Sequence, residues 1–480
     1  MKNFARKAAG ALAAAVLLSL LSAGLCAAAD TDQTVELFYE HDGTRDLLGT
    51  AFYRADALWA PAQALRVMGA VLTDGPNNKG FYINVQDPAQ AFDSPQLAQL
   101  AGQSLSLYFP SLSVSGISYF NVSGMSALTN LNFRRENGSV VFTEAKNPKG
   151  YDGPLGEKPK PVSGKLTMTW EYVSRDSPNL AASPKTPGLD VVSPTWFNLM
   201  DTNGGMANRA SAAYTKAAHE RGWRVWGLVS NSFNAAMTAG FLKNQRAQDL
   251  FIARLIVYSK IYDLDGINVD FEGFNETDRD AYTRFIAKLA QALRGEGLAV
   301  SVDVFVPANT KSSRSHNRAE IAKYVDYVML MAYDEHWRTS PRSGSVASLS
   351  WVTRAVEGAL AEGVPAEKLV LGVPFYMRRW EETGSGSNLK VKSFTLTMAE
   401  SESLAQRTGA ALKWLEAAGQ HYFAYAENGK TYKVWVENAD SIGRKLDLVV
   451  KHGLAGMAGW RRGHEKPEVW NKISQMMGKI

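Results

Sequence analysis

Apolar runs alternate with amphipathic stretches along the last two thirds of the chain. After Gly164 eight runs are dense in apolar residues: LTMTWEYV, LDVVSPTWF, WRVWGLVSN, GINVDFEG, AVSVDVFVP, YVDYVMLMAYD, KLVLGVPFYM and LAGMAGW. Most lack strict polar alternation, which is typical of strands buried on both faces. Helical stretches such as RDAYTRFIAKLAQALRGEG lie between several of them. Repeated βα units over residues 165–480 predict an α/β fold, a (β/α)8 TIM barrel, with an open doubly wound sheet as the alternative.

The stretch between the last two predicted strands is too long for a single crossover. Residues 380–450 contain a predicted helix around 403–418, followed by the run HYFAYAENGKTYKVWVEN. Asn428-Gly429 in this run is a preferred two-residue hairpin turn. We therefore predict a small α+β insertion between barrel strands 7 and 8.

A separate domain is predicted ahead of the barrel. Residues 146–164 are rich in Pro, Gly and Lys without apolar periodicity, which indicates a linker. Residues 30–145 contain short β-like pieces between turn clusters, and a helix is predicted from Asp56 onward although Pro61 disfavours it. They predict a small α+β domain. It is similar to the N-terminal stalk-like domain of copper amine oxidases, but it has no copper-ligand set.

The first 29 residues have the pattern of an export signal. Three basic residues precede an apolar run over 8–25, and small residues at 27–29 suit cleavage. A retained membrane anchor is the alternative, and a lipoprotein is disfavoured because Leu25 precedes Cys26. Cleavage would remove Cys26, the single cysteine, and with it disulfides and thiolate catalysis. We expect a protein secreted by a bacterium or held in its envelope, with no membrane-spanning segment in the mature chain.

Composition and charge narrow the function classes. Hydrophobic residues make up 45% and charged residues 21%, as in ordinary globular proteins. Loss of the three basic residues of the leader lowers the formal charge from +5 to +2, which does not suggest a nucleic-acid partner. The seven histidines show no metal-ligand spacing, and no glycine-rich phosphate loop occurs. We therefore expect no metal, no cofactor and a monomer.

The fourth predicted strand carries the sharpest chemical signal. Alternate residues of a strand share a face, so Asn268, Asp270 and Glu272 point one way and the apolar residues between them the other. Two carboxylates and an amide inside a barrel are costly unless they are used. Glu272 comes last, at the C-terminal mouth where barrel enzymes bind substrate. The sequence thus predicts an active site, with a buried structural polar cluster as the alternative.

These residues lie in a motif that resembles a known family. DGINVDFE closely resembles the D-G-x-D-x-D-x-E signature of glycoside hydrolase family 18, the chitinases and related endo-N-acetylglucosaminidases. MAYD at 331–334, GVPFY at 372–376 and GMAGW ending at Trp460 are similar to its sixth-, seventh- and eighth-strand motifs. SPTWF at 193–197 fits a second strand of the bacterial cell-wall branch. The resemblance covers roughly residues 165–475 in order, and it is greatest to the spore-cortex and cell-wall N-acetylglucosaminidases.

The resemblance implies roles for matching residues. Glu272 would be the general acid, and Asp270 would orient the substrate's 2-acetamido group, whose oxygen would attack to form an oxazolinium. Tyr333 would hydrogen-bond this acetamide. The remaining candidates divide into substrate-binding and structural residues: Met331, Asp334, Trp460, Tyr376 and Trp196 for binding, and Asp265 and Gly266 for structure. Core packing is the alternative for the aromatic residues.

One motif position departs from the family pattern. Asn268 replaces the middle aspartate, and we also count it as a substrate-binding candidate. We expect Asn268 to hydrogen-bond Asp270, and the ionisation of Asp270 to couple mainly to Glu272. The substitution should affect the pH profile more than the activity itself.

The sequence therefore predicts an exported hydrolase of β-1,4-linked N-acetylglucosamine glycans, either peptidoglycan or a related wall glycan. A chitinase or chitooligosaccharide hydrolase is the alternative within enzymes. A catalytically silent, lectin-like barrel is the alternative of another class, which the presence of Glu272 disfavours.

Overall fold

The computed structural model describes residues 32–54, 57–75, 79–122, 128, 131–144 and 158–479. The predicted export signal and most of the predicted linker lie outside the described residues.

A nine-stranded, mainly antiparallel sheet forms the N-terminal domain, in the order β4-β5-β6-β7-β3-β2-β1-β9-β8. Its strands are β1 (Gln33–His41), β2 (Thr44–Arg54), β3 (Ala57–Pro61), β4 (Leu72–Asp74), β5 (Gly80–Gln86), β6 (Ser104–Val114), β7 (Ile117–Asn121), β8 (Leu131–Glu136) and β9 (Ser139–Glu144). Its helices are α1 (Ala62–Val67), α2 (Pro88–Ala91) and α3 (Gln96–Leu100).

The helix predicted from Asp56 onward was wrong in its first half. Residues 57–61 form strand β3, and α1 starts only after Pro61. Pro61 is extended, with ψ of 136°, and a proline disfavours helical geometry in the residue before it. The proline therefore marks the start of the helix rather than interrupting it.

Elements of the second domain run from residue 166 to residue 476. Its strands are β10 (Leu166–Glu171), β11 (Val191–Pro194), β12 (Phe197–Leu199), β13 (Met206–Asn208), β14 (Arg224–Ser230), β15 (Gly266–Asp270), β16 (Ala299–Phe305), β17 (Tyr327–Met331), β18 (Leu369–Pro374), β19 (Tyr376–Thr383), β20 (Lys390–Thr397), β21 (Lys413–Leu415), β22 (Gln420–Glu427), β23 (Lys430–Val436) and β24 (Gly456–Trp460). Its helices are α4 (Ala212–His219), α5 (Ala235–Lys243), α6 (Gln245–Ile261), α7 (Arg279–Gly295), α8 (Lys311–Arg314), α9 (Arg318–Tyr324), α10 (Leu349–Ala361), α11 (Met398–Thr408), α12 (Ala439–Lys451) and α13 (Pro467–Met476).

Eight parallel strands close into a barrel in the order β10-β11-β14-β15-β16-β17-β18-β24. Closure comes from β10, which pairs in parallel with both β11 and β24. The strands are buried almost throughout, as in β10 and β18, where every residue is buried. The predicted (β/α)8 barrel, preceded by a small domain, is confirmed.

The insertion between barrel strands seven and eight is a five-stranded antiparallel sheet in the order β20-β19-β23-β22-β21. Its predicted hairpin turn is present, since Asn428 and Gly429 have φ of 50° and 71° between β22 and β23. The helix predicted around 403–418 was misplaced: α11 ends where Gly409 adopts a left-handed φ of 63°. Helix α12, inside the stretch predicted as an insertion, packs against β18 and β24 as part of the barrel's helical layer.

The N-terminal domain is fixed to the barrel by buried hydrogen bonds. The Tyr258 hydroxyl on α6 donates to the Tyr108 carbonyl and accepts from its amide, both at 2.8 Å. Arg246 on the same helix donates to the carbonyls of Leu100 and Ala101, each at 2.7 Å. The N-terminal domain uses only backbone atoms in these contacts, so its attachment to α6 does not depend on which side chains stand at residues 100, 101 and 108.

No helix in the described part of the chain is long and apolar enough to cross a bilayer.

His316 is buried beside the end of barrel strand β16. Its ring contacts Phe274, Tyr282 and Phe305, with centroids 5.2–5.6 Å apart, and only 3% of the residue is exposed. Burial, reinforced by the Arg318 charge, lowers the pKa of His316 from 6.5 to about 3. The folded protein therefore keeps this imidazole neutral where the unfolded chain protonates it.

This depressed pKa predicts a loss of stability in acid. Below about pH 6.5 only the unfolded chain takes up the His316 proton, so unfolding becomes easier by at most ~1.4 kcal/mol per pH unit. His316→Gln carries no such proton. The free energy of unfolding of the wild type minus that of the variant, from urea titrations, should be constant at pH 7–8 and fall between pH 6 and 4. Parallel curves for the two proteins across pH 4–8 would contradict the assignment.

Candidate active site

The fourth barrel strand ends with two carboxylates at the mouth of the barrel. Asp270 is the last residue of β15, and Glu272 lies two residues beyond it. The side-chain amide of Asn231, which follows the neighbouring strand β14, holds the backbone of Glu272 in place. Asn231 accepts a hydrogen bond from the Glu272 amide at 3.0 Å and donates to the Glu272 carbonyl at 2.7 Å. The backbone that carries Glu272 is therefore held by both ends of a buried side chain.

A cleft of about 570 Å³ opens above these residues. It is lined by residues from most of the barrel strands and the loops that follow them: Trp170, Tyr172, Val173, Ser174, Thr195, Asn198, Arg209, Leu228, Ser230, Phe233, Asp270, Glu272, Asp303, Phe305, Met331, Tyr333, Asp334, Tyr376 and Trp460. The structure thus brings together Glu272, Asp270 and Tyr333, the predicted catalytic residues, with four of the predicted binding residues. A metal cluster is not part of this arrangement, since no three His, Cys, Asp or Glu side chains of the described ranges are grouped to hold an ion.

Asp270 and Glu272 share a hydrogen bond, and the pKa of each is raised above its ordinary value. Burial raises the pKa of Asp270 to about 7, and the hydrogen bond from Glu272 opposes the rise. The pKa of Glu272 is raised well above its ordinary value, first by burial and then by the charges of Asp270 and Asp303. Glu272 can therefore carry a proton at neutral pH, as a general acid must.

The hydrogen bonds of Asn268 in the described chain go to residues other than Asp270, so the predicted hydrogen bond between them was wrong. Its side chain is fully buried and donates to Asp303 at 2.8 Å and to Ser301 at 3.0 Å. Its carbonyl oxygen accepts from the Trp170 indole at 2.9 Å. Asn268 is also absent from the lining of the cleft, which contradicts its prediction as a substrate-binding residue. It bridges strands beneath the cleft instead.

Asp303 on β16 is the acidic neighbour that the sequence reasoning missed. It is only 2% exposed, and burial and the charge of Asp270 raise its pKa well above the ordinary value. The prediction that Asp270 couples mainly to Glu272 is therefore incomplete. A signal was present in the sequence: in SVDVF, Asp303 is a single acid among valines, and it shares its strand face with Ser301 and Phe305.

Four predicted binding residues line the side of the cleft that is formed by barrel strands six to eight. Asp334 accepts hydrogen bonds from the Tyr376 hydroxyl at 2.6 Å and from Arg378 at 3.0 Å. Met331 and Trp460 follow at the ends of strands six and eight. Asp334 therefore differs from the other carboxylates of the cleft lining, because a cation, Arg378, balances its charge.

Trp196 lies in the core, contrary to its prediction as a substrate-binding residue. It is 0% exposed and donates to the Ser177 hydroxyl at 2.8 Å. Its ring packs edge-on against Tyr214, with centroids 5.5 Å apart. Trp196 follows the end of strand β11, as a cleft residue would. The β12–β13 hairpin begins at the next residue, and Trp196 is buried beneath it.

The two residues predicted to be structural lie below the cleft, at the start of β15. Asp265 accepts from the Val225 amide at 2.8 Å and contacts the His219 ring nitrogen at 2.9 Å. Gly266 has no room for a side chain, because a Cβ would lie 2.7 Å from the Ala299 carbonyl oxygen and from the Trp226 ring. Both residues fix the start of β15, the strand that carries Asp270, relative to its neighbouring strands.

Several known proteins share this architecture. The spore cortex-lytic enzyme SleL of Bacillus megaterium superposes with a TM-score of 0.59 at 19% identity, over 82% of this chain and 97% of its own. A chitinase of Chromobacterium violaceum superposes with a TM-score of 0.58 at 25% identity, over 65% of this chain and 99% of its own.

Sequence relatives point to the same group. YvbX of Bacillus subtilis, described as an uncharacterized glycosylase, is 28% identical over 57% of this chain and 80% of its own. The cortical fragment-lytic enzyme of Bacillus anthracis is 24% identical over 52% of this chain and 58% of its own, so less than two thirds of that enzyme is matched. The model of glycosyl hydrolases family 18 matches residues 222–465, from the third barrel strand past the eighth. Since that match spans more than half of the chain and includes Asp270 and Glu272, the protein is a glycoside hydrolase that belongs to family 18.

Proposed function

We propose that this enzyme cleaves β-1,4-linked N-acetylglucosamine in peptidoglycan or a related wall glycan, with retention, using the substrate's own acetamide as nucleophile. The observation that carries the proposal is the hydrogen-bonded pair of Asp270 and Glu272 at the cleft mouth, in which burial and neighbouring negative charges raise the pKa of Glu272 well above its ordinary value. The other two carboxylates of the cleft are engaged, Asp303 by Asn268 and Asp334 by Arg378. None of the four is placed as a free enzyme nucleophile.

In the first step Glu272 gives its proton to the glycosidic oxygen, and the bond to the anomeric carbon breaks. The acetamide oxygen attacks that carbon, so positive charge spreads over the resulting oxazolinium ring. Asp270, released from Glu272, faces the acetamide nitrogen and stabilises this charge. Water then opens the ring, giving its proton back to the Glu272 carboxylate, so that acid and product are both restored.

Asp303 determines where the proton of Asp270 goes. Two buried carboxylates that repel each other cannot both ionise cheaply, so they hold one proton between them. When Asp270 must be negative opposite the oxazolinium, Asp303 is the member that stays neutral. By donating a hydrogen bond to Asp303, Asn268 stabilises the ionised form of Asp303 and so favours a proton on Asp270. The two effects oppose each other, and the proton can reside on either carboxyl of the pair.

The names of relatives favour wall glycan over chitin. Two of the matched proteins are described as cortex-lytic or cortical fragment-lytic, although they share only 19–24% identity with this chain. The leader-like first 29 residues support export to the cell envelope, where such a polymer is found. Digestion of purified peptidoglycan and of chitin, with products identified by mass, tests this choice. Products that end in reducing N-acetylglucosamine from peptidoglycan would support it, and turnover of chitin alone would overturn it.

Replacing the acid tests its role. Glu272→Gln keeps the backbone clamp by Asn231 but has no proton to give, so kcat should fall at least about a hundredfold with an unchanged Tm. Glu276→Gln is the matched control, because Glu276 lies four residues away on the surface and pairs only with Arg314 in the described chain. The measurement is reducing-end release from peptidoglycan. Turnover of the Glu272 variant within tenfold of the wild type would remove Glu272 from the mechanism.

The acetamide mechanism predicts a strict need for the N-acetyl group. Fully deacetylated glycan should be cleaved at least about a hundredfold more slowly, and a thiazoline analogue of the oxazolinium should bind far more tightly than the product sugar. The anomer formed first, followed by NMR, should have the configuration of the substrate. Inversion, or efficient cleavage of chitosan, would contradict the mechanism.

Exchanging the amide and the acid tests the role of Asp303. Asp303→Asn removes a carboxyl whose negative charge, once it ionises, raises the pKa of Glu272, so the basic limb of the kcat/KM profile should move to lower pH. It also leaves Asp270 without its proton partner, so kcat should fall at least about tenfold, or ~1.4 kcal/mol.

The double variant Asn268→Asp/Asp303→Asn restores one acid and one amide across the same 2.8 Å contact. The double variant should recover most of the activity and of the pH profile. A purely structural role for Asp303 predicts instead that the double variant is no better than Asp303→Asn. Equal profiles for the wild type and Asp303→Asn would show that Asp303 does not take part in the proton balance.

A further inference from the structure

Arg209 lies in the cleft wall, just after the β12–β13 hairpin that follows the second barrel strand. Its guanidinium donates to the Asn198 side chain at 2.5 Å, and its amide donates to the Trp196 carbonyl at 2.9 Å. Asn198 in turn donates to Ser230 at 2.8 Å. The side chain of Arg209 is therefore oriented by neutral groups that leave its charge uncompensated.

Neighbouring arginines are neutralised, and Arg209 is not. Arg378 pairs with Asp334 at 3.0 Å, Arg462 with Glu171 at 2.7 Å, and Arg54 with Asp32 at 2.5 Å. Within the described ranges Arg209 makes no ion pair, and it is the one cationic side chain among the cleft-lining residues, which include four acids. An uncompensated cation in an acidic cleft is suited to an anionic group of the ligand.

The space beside Arg209 limits what that group can be. A second recess, between the N-terminal domain and the barrel, is lined by Arg209 together with Arg54, Trp59 and the ion pair of Arg175 and Asp176. Its volume is about 40 Å³. That is room for about three water molecules, enough for a carboxylate group and too little for a sugar ring. Arg209 thus borders both the sugar-sized cleft and a small recess whose other two arginines, Arg54 and Arg175, are paired with acids.

We propose that Arg209 forms a subsite for a carboxylate carried by the glycan, and so selects acidic wall glycan over neutral chitin. The carboxylate belongs to the class found as a lactyl ether or as a peptide stem on alternate sugars of such a polymer. This inference rests on the proposed hydrolysis by Glu272. Arg209 is the one cationic residue of the cleft lining, so it is the lining residue that can give a carboxylate substituent charge-assisted hydrogen bonds.

The test compares two substrates of equal length, a peptidoglycan-derived tetrasaccharide with free carboxylates and chitotetraose. The quantity measured is the ratio of kcat/KM for the acidic substrate to that for the neutral one. Arg209→Gln should lower this ratio at least about tenfold, mainly through KM, and Arg209→Lys should lie between the two. Arg284→Gln, an exposed arginine on α7 outside both cavities, is the matched control and should keep the wild-type ratio.

Chemical amidation of the carboxylates supplies the second arm. The wild type should lose its preference on the amidated tetrasaccharide, whereas Arg209→Gln should respond little to amidation. An unchanged ratio in Arg209→Gln, or an equal response of both proteins to amidation, would overturn the proposal. Failure of the proposed hydrolysis would look different, because the wild type would then cleave neither substrate.

Discussion

Buried charge at the centre of the barrel is the constraint on which the site depends. Asp270, Glu272 and Asp303 come from two adjacent strands and are withdrawn from water, where ionised carboxylates are costly. The cost is limited by a network around Asn268, whose side chain contacts Trp170, Ser193, Ser301 and Asp303 on three other strands. This amide satisfies its own donors and acceptor while it ties the barrel floor together. A fully satisfied network of this kind fixes geometry as well as charge.

One addition to the barrel borders the cleft itself, and the other borders the recess beside it. The N-terminal domain is anchored to α6 through Tyr258 and Arg246, and it closes the recess beside Arg209. The insertion begins at Tyr376, whose hydroxyl donates to Asp334 on the same side of the cleft. The barrel therefore supplies the chemistry, and the added elements contribute to the shape and charge of the groove above it.

Strand periodicity explains what the sequence reasoning achieved and where it stopped. Two-residue alternation placed Asp270 and Glu272 at the mouth, because a strand offers only two faces. The same rule applied to β16 would have found Asp303, but a single acid in an apolar strand has no motif to draw attention to it. Trp196 was misassigned because its burial depends on the β12–β13 hairpin, which periodicity does not reveal. Contacts between strands, such as Asn268 with Asp303, depend on register and barrel closure, which no single stretch of sequence encodes.

The Asn231 clamp has a consequence for how this barrel can diverge. Its hydrogen bonds hold the main chain of Glu272 and do not involve the carboxyl group. The clamp on the main chain is therefore independent of the carboxyl group at that position. Replacing Glu272 by a residue without an acid removes the proton donor and leaves both hydrogen bonds of the clamp in place. In evolutionary terms, a barrel of this design can lose hydrolysis through a single substitution without losing the contacts that hold the backbone of its groove.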